Sequence, residues 1–217
     1  MMTRVVLLMS LVVVVGLFGC ASHEIKPLAP QPIDAYVIRQ NVNNVTIAAE
    51  PFNTREKVEK VFTIDLTEEG YVPVLLVMEN QSGDNILLLR DEIELVDSGG
   101  NVLKHVPANV MVEKFEKNKM AYALLGFGIF SYMSAEEANK KMKSDWSSKE
   151  MPAEKVLIPY RRTHGVVYFE LGKGLATLPN STLNVPLRNM RTGEAHSAQL
   201  RLLEGIPVPD VGATPQE

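Results

Sequence analysis

Cysteine is almost absent from this chain of 217 residues: Cys20 is the only one. A lone thiol excludes an internal disulfide and a cage of thiolates around a metal. Positive charge is also in short supply, with 22 Lys and Arg against 26 Asp and Glu. A net charge of −4 with no Lys/Arg cluster excludes the electrostatic footprint of a nucleic-acid binder. The four histidines, His23, His105, His164 and His196, are far apart and form no His-Glu-x-x-His or paired ligand spacing, so no zinc site is predicted. Ser131 and Ser181 lack the Gly-x-Ser-x-Gly elbow of a nucleophile. Gly172-Lys173-Gly174 lacks the glycine-rich lead and following Ser/Thr of a phosphate loop. No acidic stretch has the spacing of a calcium loop. Together these absences predict no catalytic constellation, no metal and no cofactor.

What is present begins at the N-terminus. Arg4 precedes VVLLMSLVVVVGLF, an uncharged run over 5–18. As a helix those residues span roughly 21 Å, short of the ~30 Å hydrocarbon layer, which argues for a secretory signal peptide over 1–19 rather than a membrane span. The run ends in Leu17-Phe18-Gly19-Cys20, which resembles the lipobox of bacterial lipoproteins, although Phe18 is bulkier than is usual there. The resemblance implies cleavage between Gly19 and Cys20, a diacylglyceryl thioether on Cys20 and acylation of the new amine. Membrane lipid is then one partner, and two or three acyl chains hold firmly where one would not. Ala21 after the cysteine points to the outer membrane, periplasmic face, in the Gram-negative sorting pattern. Residues 20–33 carry Pro27, Pro30 and Pro32, predicting an extended tether. Thirteen Pro-rich residues would reach roughly 40 Å.

The body, 34–205, reads as strands. VTIAAE alternates over 45–50, and YVPVLLVMEN over 71–80 is nearly continuous in apolar residues, the mark of a buried strand. Pro73 is expected near the start of that strand or beside an unpaired position. Between these two runs, Asn53 followed by Glu56 predicts a capping box for a short helix. ILLLRDEIELVD over 86–97 reads as two short strands or one bent one, with Ile93 and Leu95 inward and Glu92 and Glu94 outward. The turn DSGGN then returns the chain as NVLKHV. EKVLIPY, HGVVYFEL, STLNVPLRN and HSAQLRLL supply the later strands, and 206–217 reads as a flexible tail.

One stretch departs from this pattern. AYALLGFGIFSYM over 121–133 has no charge, and its glycines Gly126 and Gly128 cost about 1 kcal/mol each inside a helix. It belongs to a helix over 112–133, apolar on all sides near its end and too short to span a bilayer. Ser134, with Glu137 three residues on, predicts the cap of a second helix whose stripe is Ala135, Ala138, Met142 and Trp146. A helical hairpin at about 112–150 follows. Its apolar residues Leu124, Leu125, Phe127, Ile129, Phe130 and Trp146 either pack on the body or contact a protein partner or the lipid interface. Lys114, Lys117 and Lys119 would form part of a basic rim for the last of these.

GYVPVLLVMENQSGDNILLLRDEIELVDSGGNVLKHV and HGVVYFEL resemble the immunoglobulin-like extracytoplasmic domains of bacterial lipoproteins. The expectation is therefore mainly β, an immunoglobulin-like antiparallel β-sandwich of seven to nine strands with an inserted α-helical hairpin. The expected role is a lipid-anchored cell-envelope protein with a non-enzymatic structural or protein-interaction function, its protein partner unidentified. The competing expectation is a membrane-active or pore-associated component acting through 120–133.

Overall fold

The computed structural model describes residues 25–62, 64–115, 132–172, 178 and 180–202. These are mainly β. In chain order they form β1 (Arg39–Val42), β2 (Val45–Pro51), α1 (Arg55–Val61), β3 (Tyr71–Asn80), β4 (Ile86–Leu89), β5 (Glu94–Val96) and β6 (Val102–Lys104). A helix α2 covers 108–115, followed by α3 (Tyr132–Lys149), β7 (Glu154–Leu157), β8 (Arg161–Glu170), β9 (Ser181–Asn189) and β10 (Ala195–Leu202).

Every strand pairing in the two sheets is antiparallel. The first sheet has the order β1-β2-β3-β8. In the second, β9 pairs with β10 on one side and with β5 and β4 on the other, and these continue to β6 and β7. The sheets meet at both margins. Gln199 N–H of β10 donates to Gln40 Oε1 of β1, and His105, beyond β6, bridges to Phe169 of β8.

The period-2 geometry of β3 sorts its side chains between two cores. Val72, Val74, Leu76 and Met78 face the second sheet, meeting Leu88, Ile93, Leu95, Leu183, Val185 and Leu200. Tyr71, Leu75 and Val77 face the other way, onto Val58 and Phe62 at α1, Met111 and Phe115 of α2, and Met142 and Trp146 of α3. The molecule therefore has three layers, and the first sheet is the middle one. Burial on both faces is why β3 lacks the polar alternation of a half-solvated strand. Each such side chain stabilises the fold by about 1.5–3 kcal/mol.

Pro73 sits where its missing N–H does least harm. Its carbonyl accepts from Phe52 N–H just past the end of β2, so its nitrogen faces the same unpaired position. Ile93 and Leu95 are inward, and a 3₁₀ turn at Arg90–Glu92 separates β4 from β5, giving the two-strand alternative.

Several sequence expectations are corrected. The N-cap of α1 is Thr54, not Asn53: the Thr54 hydroxyl accepts from Lys57 N–H, which shifts the frame by one and dissolves the Asn53–Glu56 box. Ser134 lies inside α3, whose described span already begins at Tyr132. Ten described strands exceed the seven to nine expected, because the reading missed β1. From residue 25 onward the Pro-rich tether is not free either. Arg162 donates to the carbonyls of Pro30 and Gln31, Lys26 donates to the Glu59 carbonyl, and Gln31 N–H donates to the Tyr36 hydroxyl at 2.9 Å. Residues 1–24, the apolar stretch 121–131 and the tail beyond Leu202 lie outside the described residues. Among the described residues no helix is long and apolar enough to cross a membrane.

Candidate functional site

Four turns converge at one end of the two sheets. Asn43 and Asn44 both hold positive φ, 50° and 62°, and close β1 onto β2, the combination a tight two-residue hairpin requires. Asn80 shapes the next turn. It is fully buried, and its amide donates to the carbonyls of Asp84 and Leu157 while its oxygen accepts from Ser82. Asp84 then reaches the β9–β10 turn, where Arg191 donates to its two oxygens at 2.6 and 2.8 Å and Asn189 at 2.9 Å. The Arg191 guanidinium, and next the Asn189 amide, pull the Asp84 carboxyl down to about 2. These pairings fix the relative positions of two loops.

The fourth turn carries Tyr160. Arg161 N–H donates to the Ile158 carbonyl, so Pro159 and Tyr160 are the central residues of a tight turn. Proline presets the first of these, and the second calls for the left-handed conformation that glycine supplies. Tyr160 adopts it at φ 57°, at a cost of about 1–2 kcal/mol for a residue with a Cβ. Its ring gains no packing in return, since the residue is 76% exposed. Strain held in an exposed aromatic points to use by something outside the chain.

Tyr160 borders two surfaces. One is a polar cleft of about 470 Å³ lined by Asn43, Asn44, Ser82, Asn189, Glu194 and His196 among others. The other is an apolar strip on the outer face of the second sheet. Val156 and Ile158 alternate to the same side, 38% and 57% exposed, and Tyr160, 76% exposed, stands in the turn that follows them. Leu87, half-buried, is the cross-strand partner of Val156, and Met190, 54% exposed, donates its N–H to the carbonyl of Asn85, two residues before Leu87.

The densest group of titratable side chains lies elsewhere and is closed. His105 Nε2 is 2.8 Å from Glu150 Oε1, while its Nδ1 accepts from Tyr168 N–H at 3.1 Å. Accepting at Nδ1 fixes the tautomer, so Nε2 carries the proton and donates it to the carboxylate. Glu150 Oε1 also accepts from Ala108 N–H and lies 3.4 Å from the Arg90 guanidinium. With both ring nitrogens of the buried His105 engaged, no lone pair is open to a substrate proton. Among the described residues no group of three or more His, Cys, Asp or Glu is arranged to hold a metal ion.

Of the residues expected to contact a partner, Cys20, Gly19, Leu124, Leu125, Phe127, Ile129 and Phe130 lie outside the described residues. Trp146 is described, and its expectation as a contact residue is corrected. It is fully buried, edge-on to Phe115 at 5.3 Å and Phe62 at 6.4 Å, with Tyr168 donating its hydroxyl to the Trp146 carbonyl. Lys114, expected in a basic rim, instead pairs with Glu170 at 2.6 Å and sits over the Tyr71 ring. Tyr160, Val156, Ile158 and Met190 were not singled out from the sequence. The signal was present in Pro159-Tyr160, a turn pair with the wrong second residue.

The sequence matches no family profile and no curated protein. In fold the chain is similar to the yjhA protein from Bacillus subtilis, at 12% identity and a TM-score of 0.36, covering 69% of this chain and 78% of that one. It is also similar to a functionally unknown protein from Listeria monocytogenes EGD-e, at 10% identity and a TM-score of 0.37, covering 76% and 80%.

Proposed function

We propose that this chain is a bacterial lipoprotein of the cell envelope, anchored through acylated Cys20 at the periplasmic face of the outer membrane. Its body is an immunoglobulin-like β-sandwich with an inserted helical hairpin, and it binds a partner protein without catalysis. The signal-like run and Leu17-Phe18-Gly19-Cys20 support the anchor. Two antiparallel sheets sharing one core, with turns gathered at the ends, support the fold assignment.

The observation that carries the binding role is the strip of Val156, Ile158, Tyr160 and Met190 beside the polar cleft. An apolar centre rich in Tyr and Met with a charged rim, here Arg188, Arg191 and Glu194, has the anatomy of a protein interface.

Two measurements test the proposal. Radiolabelled palmitate is expected to enter the wild-type chain and not Cys20→Ser; label retained by the variant removes the anchor. A photo-crosslinking residue at Ile158 is expected to give one discrete protein adduct in the native envelope, and the same residue at Glu113 on α2 none. No adduct from Ile158, or equal adducts from both, removes the interface.

A further inference from the structure

We infer that the polar cleft beside Tyr160 is a binding site for a neutral saccharide. This goes beyond the protein-binding reading, which uses the apolar strip on the other side of Tyr160 and does not depend on the cleft.

The charge of the cleft narrows the ligand first. Its volume, about 470 Å³, lies in the range of sites that hold small molecules. Among the described residues that line it there is no Lys or Arg, so nothing there answers a phosphate or a carboxylate. Asp84 lines the cleft, but both its oxygens are taken by Arg191 and Asn189. Glu194 adds one carboxylate, which can accept from a hydroxyl.

The unused hydrogen-bonding groups match a polyol. The side chains of Asn43, Asn44 and Gln81 line the cleft and make no hydrogen bond to a described residue. Each amide offers N–H donors and an acceptor oxygen. A sugar hydroxyl is likewise donor and acceptor, so amides satisfy it on both counts, whereas an apolar ligand would leave them unpaired. Tyr160 supplies what the amides lack. The face of its ring carries negative potential, and the weakly positive C–H face of a pyranose is the surface that stacks on it. The core residues Val45, Ile86 and Leu187 add apolar wall.

The site is also formed in advance. Gln81 N–H donates to the Asn44 carbonyl at 2.8 Å, and Tyr160 N–H to the Asn80 carbonyl at 2.7 Å. With Asp84 held to Arg191, all four turns around the cleft are tied together. Little ordering therefore remains to oppose binding. Of the four described non-glycine residues with positive φ, three line this one cleft: Asn43, Asn44 and Tyr160. Such conformations gather where a ligand uses them.

The test titrates the full chain with maltose, lactose and N,N′-diacetylchitobiose, read by saturation-transfer NMR. Glucuronic acid and glucosamine serve as anionic and cationic counterparts. At least one neutral disaccharide is expected to respond, most strongly at the protons of one ring face. Tyr160→Gly, which suits the φ of the turn, is expected to weaken that binding about tenfold. Gln81→Ala should weaken it several-fold and Tyr160→Phe should retain most of it, with urea midpoints showing that all three variants fold. No response to any of the neutral disaccharides, a response confined to glucuronic acid or glucosamine, or binding unchanged in Tyr160→Gly overturns the saccharide site. None of these outcomes bears on crosslinking from Ile158, so the failure of this site and the failure of the protein interface are read separately.

Discussion

Tyr160, Asp84 and Glu150 show three ways in which one side chain sets the properties of its neighbourhood. Tyr160 holds a conformation suited to glycine at φ 57°, so Tyr160→Gly relieves Cβ strain while freeing the unfolded chain somewhat. The expected net effect is a gain of about 0.5–1 kcal/mol, read as a raised urea midpoint with an unchanged slope, alongside loss of the Ile158-directed adduct. Asp84, lowered to about 2 chiefly by Arg191, contributes stability that is complete above the ordinary aspartate range. That contribution drains away as pH falls through the interval down to about 2, because the unfolded chain binds the proton first. Asp84→Asn should lower stability by a constant amount near neutrality and remove this part of the acid limb of a stability-versus-pH curve. Glu150 accepts from His105 and Ala108 with little exposure, so Glu150→Ala leaves those two N–H donors unanswered, while Arg90 keeps Asp91 and the Met151 carbonyl. Loss of about 1–3 kcal/mol for each orphaned donor is expected in urea denaturation, with Glu150→Gln restoring part of it.

Strands betray themselves in sequence when their burial is uniform and hide when tertiary pairing supplies the pattern. β3 and β9 were legible to the residue, Tyr71–Asn80 and Ser181–Asn189, because both have an apolar inward face between polar ends and finish at turn residues. β1 was not, because Arg39-Gln40-Asn41-Val42 is polar and owes its strand state to β2; the Asn43-Asn44 pair was a hairpin signal that went unread. The α1 cap was misread by one residue because Asn53 and Thr54 are both good caps and local sequence cannot choose between them. Contact between elements was harder still to read. The exit of α3 runs so close to β8 that Glu150 bridges Val166, and a Cβ on Gly165 would lie 2.8 Å from the Met151 Cα. Backbone cannot yield as a flexible side chain does, so Gly165→Ala should cost about 1–3 kcal/mol. Thermal denaturation would register it, and a neutral result would mean that α3 is not pinned to the sheet at this point.

Across the whole molecule, the two-core arrangement was only half visible. The apolar density of β3 announced burial on both faces, but which elements covered each face depended on partners distant in sequence. The exposed apolar strip was less legible. Val156 and Ile158 alternate like any strand, and their exposure follows from β7 pairing with β4 while its other side turns outward. Joining the layers has a kinetic consequence. Tyr71 pairs with Glu170, 99 residues along the chain, so the middle sheet closes only after a very long loop has been ordered. High contact order of this kind makes refolding slow, and until β8 arrives the apolar, uncharged run VLLVM after Pro73 keeps one edge open to intermolecular pairing. Refolding yield in vitro should therefore fall steeply as protein concentration rises, as light scattering after dilution from urea would register.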